Sequence, residues 1–199
     1  MLEIPESLTI AAQLNETVKG LEIRRVEAAH TKHSFAWYTG DPDYYAETME
    51  GKPLGEAIGW GSYVEIDVGD YRFAVGDGTN LRYYASGEKL PPRYQTRIEL
   101  EDGSNLVCTV QMYGSMFLVD PKEYDNFYYH VAKEKPMPGS EEFDYAYFRE
   151  LREQASGTLS MKAFLATEQR IPGLGNGVLQ DILLRAGLHP KKKMGTVPE

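Results

Sequence analysis

The chain has 199 residues, with 30 acidic against 21 basic side chains (net charge −9) and 42% hydrophobic residues, which fits a globular protein with one good core or two small ones. No apolar run approaches membrane length and the opening MLEIPESLT has no basic-then-apolar signal, so a cytoplasmic protein without a membrane segment is expected. A single cysteine, Cys108, excludes an internal disulfide or a cysteine-based zinc site within this chain, and His30, His33, His130 and His189 have no metal-like spacing.

In chain order, Pro5 and Glu6 suit the first turn of a helix; Leu8, Ala11, Ala12 and Val18 continue it at helical spacing, and Gly20 closes it. From Leu21 to Val119 the period falls to two. Val64, Ile66 and Val68 alternate with polar residues, Gly69-Asp70 turns the chain, and Tyr71, Phe73 and Val75 return. Ile98 and Leu100, Asp102-Gly103, then Leu106, Cys108 and Val110 predict a second hairpin. Many short strands with glycine turns predict a β-sandwich. Tyr124 to Gly139, with two prolines and a glycine, reads as a connection. Ser140 is expected to start a helix whose Phe143, Tyr147 and Leu151 share a face, and Ser160 to cap a short helix holding Lys162.

The most informative stretch is Met161 to Lys193. Gly173-Leu174-Gly175-Asn176 is a tight turn opening into a helix with Val178, Leu179, Ile182 and Leu183 on its buried face. Asn176 stands where an N-cap belongs, and Gly187 and Pro190 stop the helix. Backbone N–H groups at such a helix start form a ready anion site, and Lys162, Arg170, Lys191, Lys192 and Lys193 surround it in sequence. Residues 158–198 hold six Lys/Arg against two Asp/Glu, so the remainder is strongly acidic and the positive charge is concentrated in this module. A phosphate-gripping helical unit follows, though the acidic remainder argues against tight non-specific DNA binding.

Gly173–Asn176, Asp181-Ile182-Leu183 and Arg185-Ala186-Gly187-Leu188-His189-Pro190 together resemble the helix–two-turns–helix signature of the formamidopyrimidine-DNA glycosylase and endonuclease VIII family. The opening Met1-Leu2-Glu3-Ile4-Pro5-Glu6 is similar to that family's Met-Pro-Glu-Leu-Pro-Glu start. The resemblance implies an α+β fold, an N-terminal helix plus two-layer β-sandwich over residues 1–130, followed by a helical DNA-binding domain over 131–199. It implies base-excision removal of damaged bases and strand cleavage by β-elimination through a Schiff base on the N-terminal amine, with Glu3 assisting sugar-ring opening. It also implies that Lys162 and Asn176, with Gly175, Lys191 and Lys192, grip phosphates of double-stranded DNA beside a damaged base or abasic site, in a monomer. A terminal amine suits this chemistry, since its reference pKa of about 7.7–8.0 leaves a neutral fraction at pH 7.

Some positions depart from that pattern. The nucleophile position is Leu2, before which the initiator methionine is normally retained, so the attacking amine would belong to Met1 or Leu2. Glu3 reads equally as the cap of its own helix. Ser62 stands where a hairpin lysine is usual, Asp77 replaces an apolar wedge, and Met112-Tyr113-Gly114 replaces an Arg-Arg-Phe wedge loop. The family's four-cysteine zinc module has no counterpart before Glu199, so no cofactor is expected in this chain. A non-catalytic binder of damaged or distorted DNA that has lost the nucleophile is the alternative, and an RNA- or protein-binding module a more remote one.

Overall fold

The computed structural model describes residues 2–198. Helix α1, Ile4–Thr17, carries Pro5 in its first turn, and the Glu3 N–H donates to Glu6 Oε2 at 2.8 Å. Nine strands follow: β1 (Ile23–Glu27), β2 (Ala36–Tyr38), β3 (Ala57–Trp60), β4 (Tyr63–Val68), β5 (Tyr71–Gly76), β6 (Thr79–Tyr84), β7 (Thr96–Leu100), β8 (Asn105–Val110) and β9 (Gly114–Val119). A short helix α2, Tyr44–Met49, lies between β2 and β3. The strands form two sheets, β1-β7-β8-β6 and β2-β9-β5-β4-β3, and the two expected hairpins are β4–β5 and β7–β8. Apolar residues of both sheets and of α1, among them Leu14, Ile23, Val64, Phe73, Ile98 and Met116, form one core.

Strand β3 is an edge, and α1 closes it. Asn15 Nδ2 donates to Ala57 O at 2.7 Å and Ala57 N–H donates to Asn15 Oδ1 at 2.8 Å, so a side-chain amide replaces a missing neighbour strand. At the other end of the helix, a Cβ on Gly59 would come within 2.8 Å of the Ser7 backbone. Only glycine allows that approach.

Cys108 lies in this core, and burial pushes its thiol well above the usual range. Native protein is therefore expected to resist a thiol reagent at neutral pH and to react once denatured; fast labelling of folded protein would refute this.

The second part of the chain is helical: α3 (Phe127–Glu134), α4 (Tyr145–Gln154), α5 (Met161–Ala166) and α6 (Asn176–Arg185). Its core joins Phe164, Leu165, Leu174, Leu179, Leu183 and Met194 to Ile4 of α1. An apolar cavity of about 670 Å³ lies between α4, α5, α6 and the start of α1. Two readings need correction. The stretch Tyr124–Gly139 is not a bare connection but contains α3, capped by Asn126 through Tyr129 N–H at 3.1 Å. Helix α4 begins not at Ser140 but at Asp144, whose Oδ1 accepts Tyr147 N–H at 2.7 Å. Phe143 therefore precedes the helix instead of sharing its face. Ser140 instead lies in a turn, its N–H donating to Met137 O at 2.9 Å.

The polar side of β4 is also not solvated. Glu65, 3% exposed, faces α3, where Lys133 Nζ donates to both its oxygens at 3.0 and 3.1 Å and Tyr129 Oη donates to Oε2. Burial, and then the hydrogen bond to Glu65, push the Tyr129 phenol well above its usual range.

Candidate functional site

The first residues of the chain lie between the sandwich and the helices. Leu2 is 8% exposed and packs in the sandwich core, and its N–H donates to Asp77 O at 2.5 Å. Asp77 sits in the turn between β5 and β6 with φ of +56°, a conformation that Asp tolerates better than most residues. Leu2, Asp77 and α1 together line a cleft of about 550 Å³. Met1, the other residue expected to supply an amine, lies outside the described residues.

Glu3 is the N-cap residue of α1, in a capping box with Glu6, and it does more than that reading of the sequence expects. Its carboxylate reaches across to α6 and accepts Gly177 N–H on Oε1 and Val178 N–H on Oε2, both at 2.8 Å. It thus caps α6 while also heading its own helix. A carboxylate there satisfies two orphan N–H groups and opposes the positive end of the helix dipole. This corrects the expected anion site, because two of the outward N–H groups at that helix start are already taken by an internal anion. The N-cap is Gly175, with Asn176 the first helical residue, one position from the expectation. The shift follows from crowding. A Cβ on Gly175 would stand 2.5 Å from the Glu3 carboxyl carbon, so this glycine makes room for Glu3 and does not face outward.

The junction is tight elsewhere as well. Gly173 has φ of +79°, its carbonyl accepts Ile4 N–H at 3.1 Å, and a Cβ there would be 2.3 Å from the Gly61 backbone. Ser7 Oγ donates to Gly61 O at 2.8 Å. The turn between β3 and β4, the start of α1 and the glycine turn before α6 thus meet at one point. Ser62, beside Gly61, is half-buried.

The lysines gather on the helical side. Met161 N–H donates to Lys192 O at 2.8 Å and Lys162 N–H to Pro190 O at 3.0 Å, so the start of α5 runs alongside residues 190–193. Lys162, Lys191, Lys192 and Asn176 are all exposed. Ser160 caps α5 through Ala163 N–H at 3.2 Å, and Gly187 ends α6 with φ of +65°, both as expected. Sequence reasoning missed the Glu3–α6 contact, which spans 174 residues and has no local signature. It also missed α3, for which Asn126 followed by an apolar-rich run was an available signal.

Among the described residues no group of His, Cys, Asp and Glu is placed to hold a metal ion, and no helix is long and apolar enough to cross a membrane.

No family model matches the chain. Individual proteins do. The formamidopyrimidine-DNA glycosylase of Bacillus subtilis is 25% identical over 196 residues, covering 97% of this chain and 69% of its own length. That of Lactococcus lactis subsp. cremoris is 23% identical over 203 residues, covering all of this chain and 72% of its own. Among solved structures, MutM in complex with DNA containing carbocyclic 8-oxo-G superposes with a TM-score of 0.80 at 22% identity, over 99% of this chain and 73% of that one. This chain is thus similar over nearly its whole length to formamidopyrimidine-DNA glycosylases. The Lactococcus lactis Fpg bound to DNA containing an abasic site matches with a TM-score of 0.81 at 22% identity, over 99% of this chain and 72% of that one. The α+β layout of the formamidopyrimidine-DNA glycosylases is thus present, with its helix–sandwich–helical order intact.

Proposed function

We propose that this protein acts in DNA repair as a base-excision N-glycosylase and abasic-site lyase, a monomer working on double-stranded DNA with a damaged base or abasic site. Relatives named formamidopyrimidine-DNA glycosylase and fold neighbours bound to lesion-containing DNA support that reading. The observation that carries it to particular residues is the placement of residues 2 and 3 against the glycine turn before α6. In this scheme an N-terminal amine, of Met1 or of Leu2 once exposed, attacks C1′ and the base leaves. The C1′–O4′ bond then breaks as the ring oxygen takes a proton, giving a Schiff base at C1′, and loss of a C2′ proton from it expels the 3′ phosphate. Glu3 is the candidate to handle that proton. Both its oxygens accept backbone N–H groups here, so donating to the sugar requires it to release one of those bonds. Lys162, Lys191 and Lys192 with Asn176 form the phosphate-binding side.

The alternative, a binder without chemistry, draws support from Leu2, whose side chain is buried and whose nitrogen is already bonded to Asp77 O. Borohydride trapping on abasic-site and oxidised-base duplexes, with intact mass to define the N-terminus, separates the two. A covalent adduct at residue 1 or 2 that disappears when the amine is blocked is the expected result. Salt-sensitive binding to abasic duplex with no adduct and no base release would leave the binder standing.

The phosphate grip has its own expected outcome. Asn176→Ala with Lys162→Ala is expected to weaken binding alike for all sequences, and Lys162→Ala alone to flatten the log–log salt dependence by about one unit. A titration at several salt concentrations checks this, and an unchanged slope would remove Lys162 from the interface.

A further inference from the structure

At one end of the sandwich the chain crosses between sheets twice, at the turn joining β5 to β6 and at residues 111–113 between β8 and β9. The two turns touch: a Cβ on Gly78 would stand 2.3 Å from Tyr113 O. Since Asp77 also holds Leu2, the second turn is one step from the candidate site. Beyond it lies edge strand β2, parallel to β9, with Gly114 N–H donating to Phe35 O at 2.9 Å and the Trp37 and Tyr113 rings 6.2 Å apart.

Two properties distinguish this edge. Large apolar side chains stand in solvent there: Phe35 is 58% exposed, Trp37 46% and Met112 75%. Beside them is positive charge. Thr31 N–H donates to Tyr94 O at 3.0 Å, which brings the adjoining Lys32 and Arg93 to the walls of one cleft of about 360 Å³ that also includes Gln111. Several arginines of the sandwich are tied to carboxylates, Arg25 to Glu27, Arg72 to Asp67 and Arg97 to Glu99, whereas Lys32 and Arg93, like Arg82 on β6, have no ion-pair partner among the described residues. In a protein of net charge −9, two cations without an ion-pair partner beside exposed aromatic side chains give this edge a local positive character. Clusters of exposed apolar side chains mark interaction sites, and cation plus aromatic is the chemistry that holds unstacked nucleotides, a phosphate on the charge and a base face on the ring.

We infer that the Phe35–Trp37–Met112 edge, with Lys32 and Arg93, is a platform for a base displaced from the DNA duplex next to the lesion. The inference rests on the proposed DNA-repair reading. It adds a stacking surface on β2 and the loop before it, outside the N-terminus and the α6 module.

The test compares the parent chain, Phe35→Ala/Trp37→Ala, Trp37→Phe and Lys32→Ser/Arg93→Ser on three probes: a duplex with a stable abasic-site analogue, the same duplex fully paired, and the single strand. The double alanine variant is expected to lose about tenfold or more in affinity for the abasic duplex and the single strand, the scale of one stacked base, and to bind the paired duplex within about twofold of the parent. Trp37→Phe should retain most of the affinity because the ring is kept. Lys32→Ser/Arg93→Ser should weaken all three probes and flatten the salt dependence. In the parent, abasic duplex should also shield tryptophan emission from acrylamide, a readout that needs no variant. Parent-like binding by the double alanine variant, or equal loss on paired and abasic duplexes, overturns the platform. If Lys162→Ala and Asn176→Ala weaken binding in that same assay, the repair reading survives its loss. A parent chain that binds none of the probes overturns both.

Discussion

Gly173→Ala is expected to destabilise the protein by about 3 kcal/mol or more, through two causes that add. Gly173 has φ of +79°, where a side chain costs about 1–2 kcal/mol. Its new methyl would also lie 2.3 Å from Gly61 C and 2.5 Å from Gly61 Cα, backbone atoms that cannot rotate away. Relief requires the turn to move off the sandwich, which pulls on Ile4 N–H at Gly173 O and on the Glu3 bonds to α6. Overpacking of this kind costs about 1–3 kcal/mol. Gly20→Ala is the control: its φ is +91°, but nothing lies within 4 Å, so only the conformational part applies. Urea unfolding of both variants decides the matter. Equal losses would mean that the contact with Gly61 carries no weight.

Lys133→Met comes next, with an expected loss of about 2–3 kcal/mol, somewhat under the usual figure for breaking a buried pair because Lys133 keeps some solvent access. It leaves the Glu65 carboxylate with Tyr129 Oη and with Arg72 Nε at 3.9 Å, the latter already bound to Asp67 at 2.7 Å. The ammonium also sits 4.9 Å from the Tyr129 ring centre and 5.4 Å from that of Trp60, contacts a thioether does not replace in kind. A Glu65→Leu/Lys133→Met double variant is expected to recover much of the loss, since replacing both partners removes the unpaired charge. A deficit that is not recovered in the double variant would show that Lys133 acts through packing alone.

How far the sequence led can be seen residue by residue. The hairpins at Gly69-Asp70 and Asp102-Gly103, the caps at Ser160 and Gly187 and, to within one residue, the start of α6 were legible because each depends on a few adjacent residues and their backbone preferences. Helix α3 was hidden by neighbouring prolines and tyrosines that read as loop. Glu65 was hidden because alternation tells which side of a strand faces the sheet core, not whether a later helix covers the other side. Glu3 was the hardest. Its residue type suits the end of its own helix, and only the folded chain shows that its carboxylate serves α6. The cluster of Lys32 and Arg93 was equally opaque, because it depends on two loops meeting through Thr31 and Tyr94, 63 residues apart.

The Glu3 contact has a consequence for the order in which the chain folds. Glu3 is synthesised 174 residues ahead of Gly177, so at about 5–20 residues per second roughly ten seconds or more separate the two partners on the ribosome. During that interval α1 can settle on β3 and the sandwich can close, but the Glu3 carboxylate still lacks the α6 N–H groups it accepts and Ile4 lacks its neighbours in the second core. The segment made first is thus held on one side early and completed on the other last. Folding of the helical part is expected to be the slow, long-range step, and to trail the sandwich both in the cell and in refolding from denaturant.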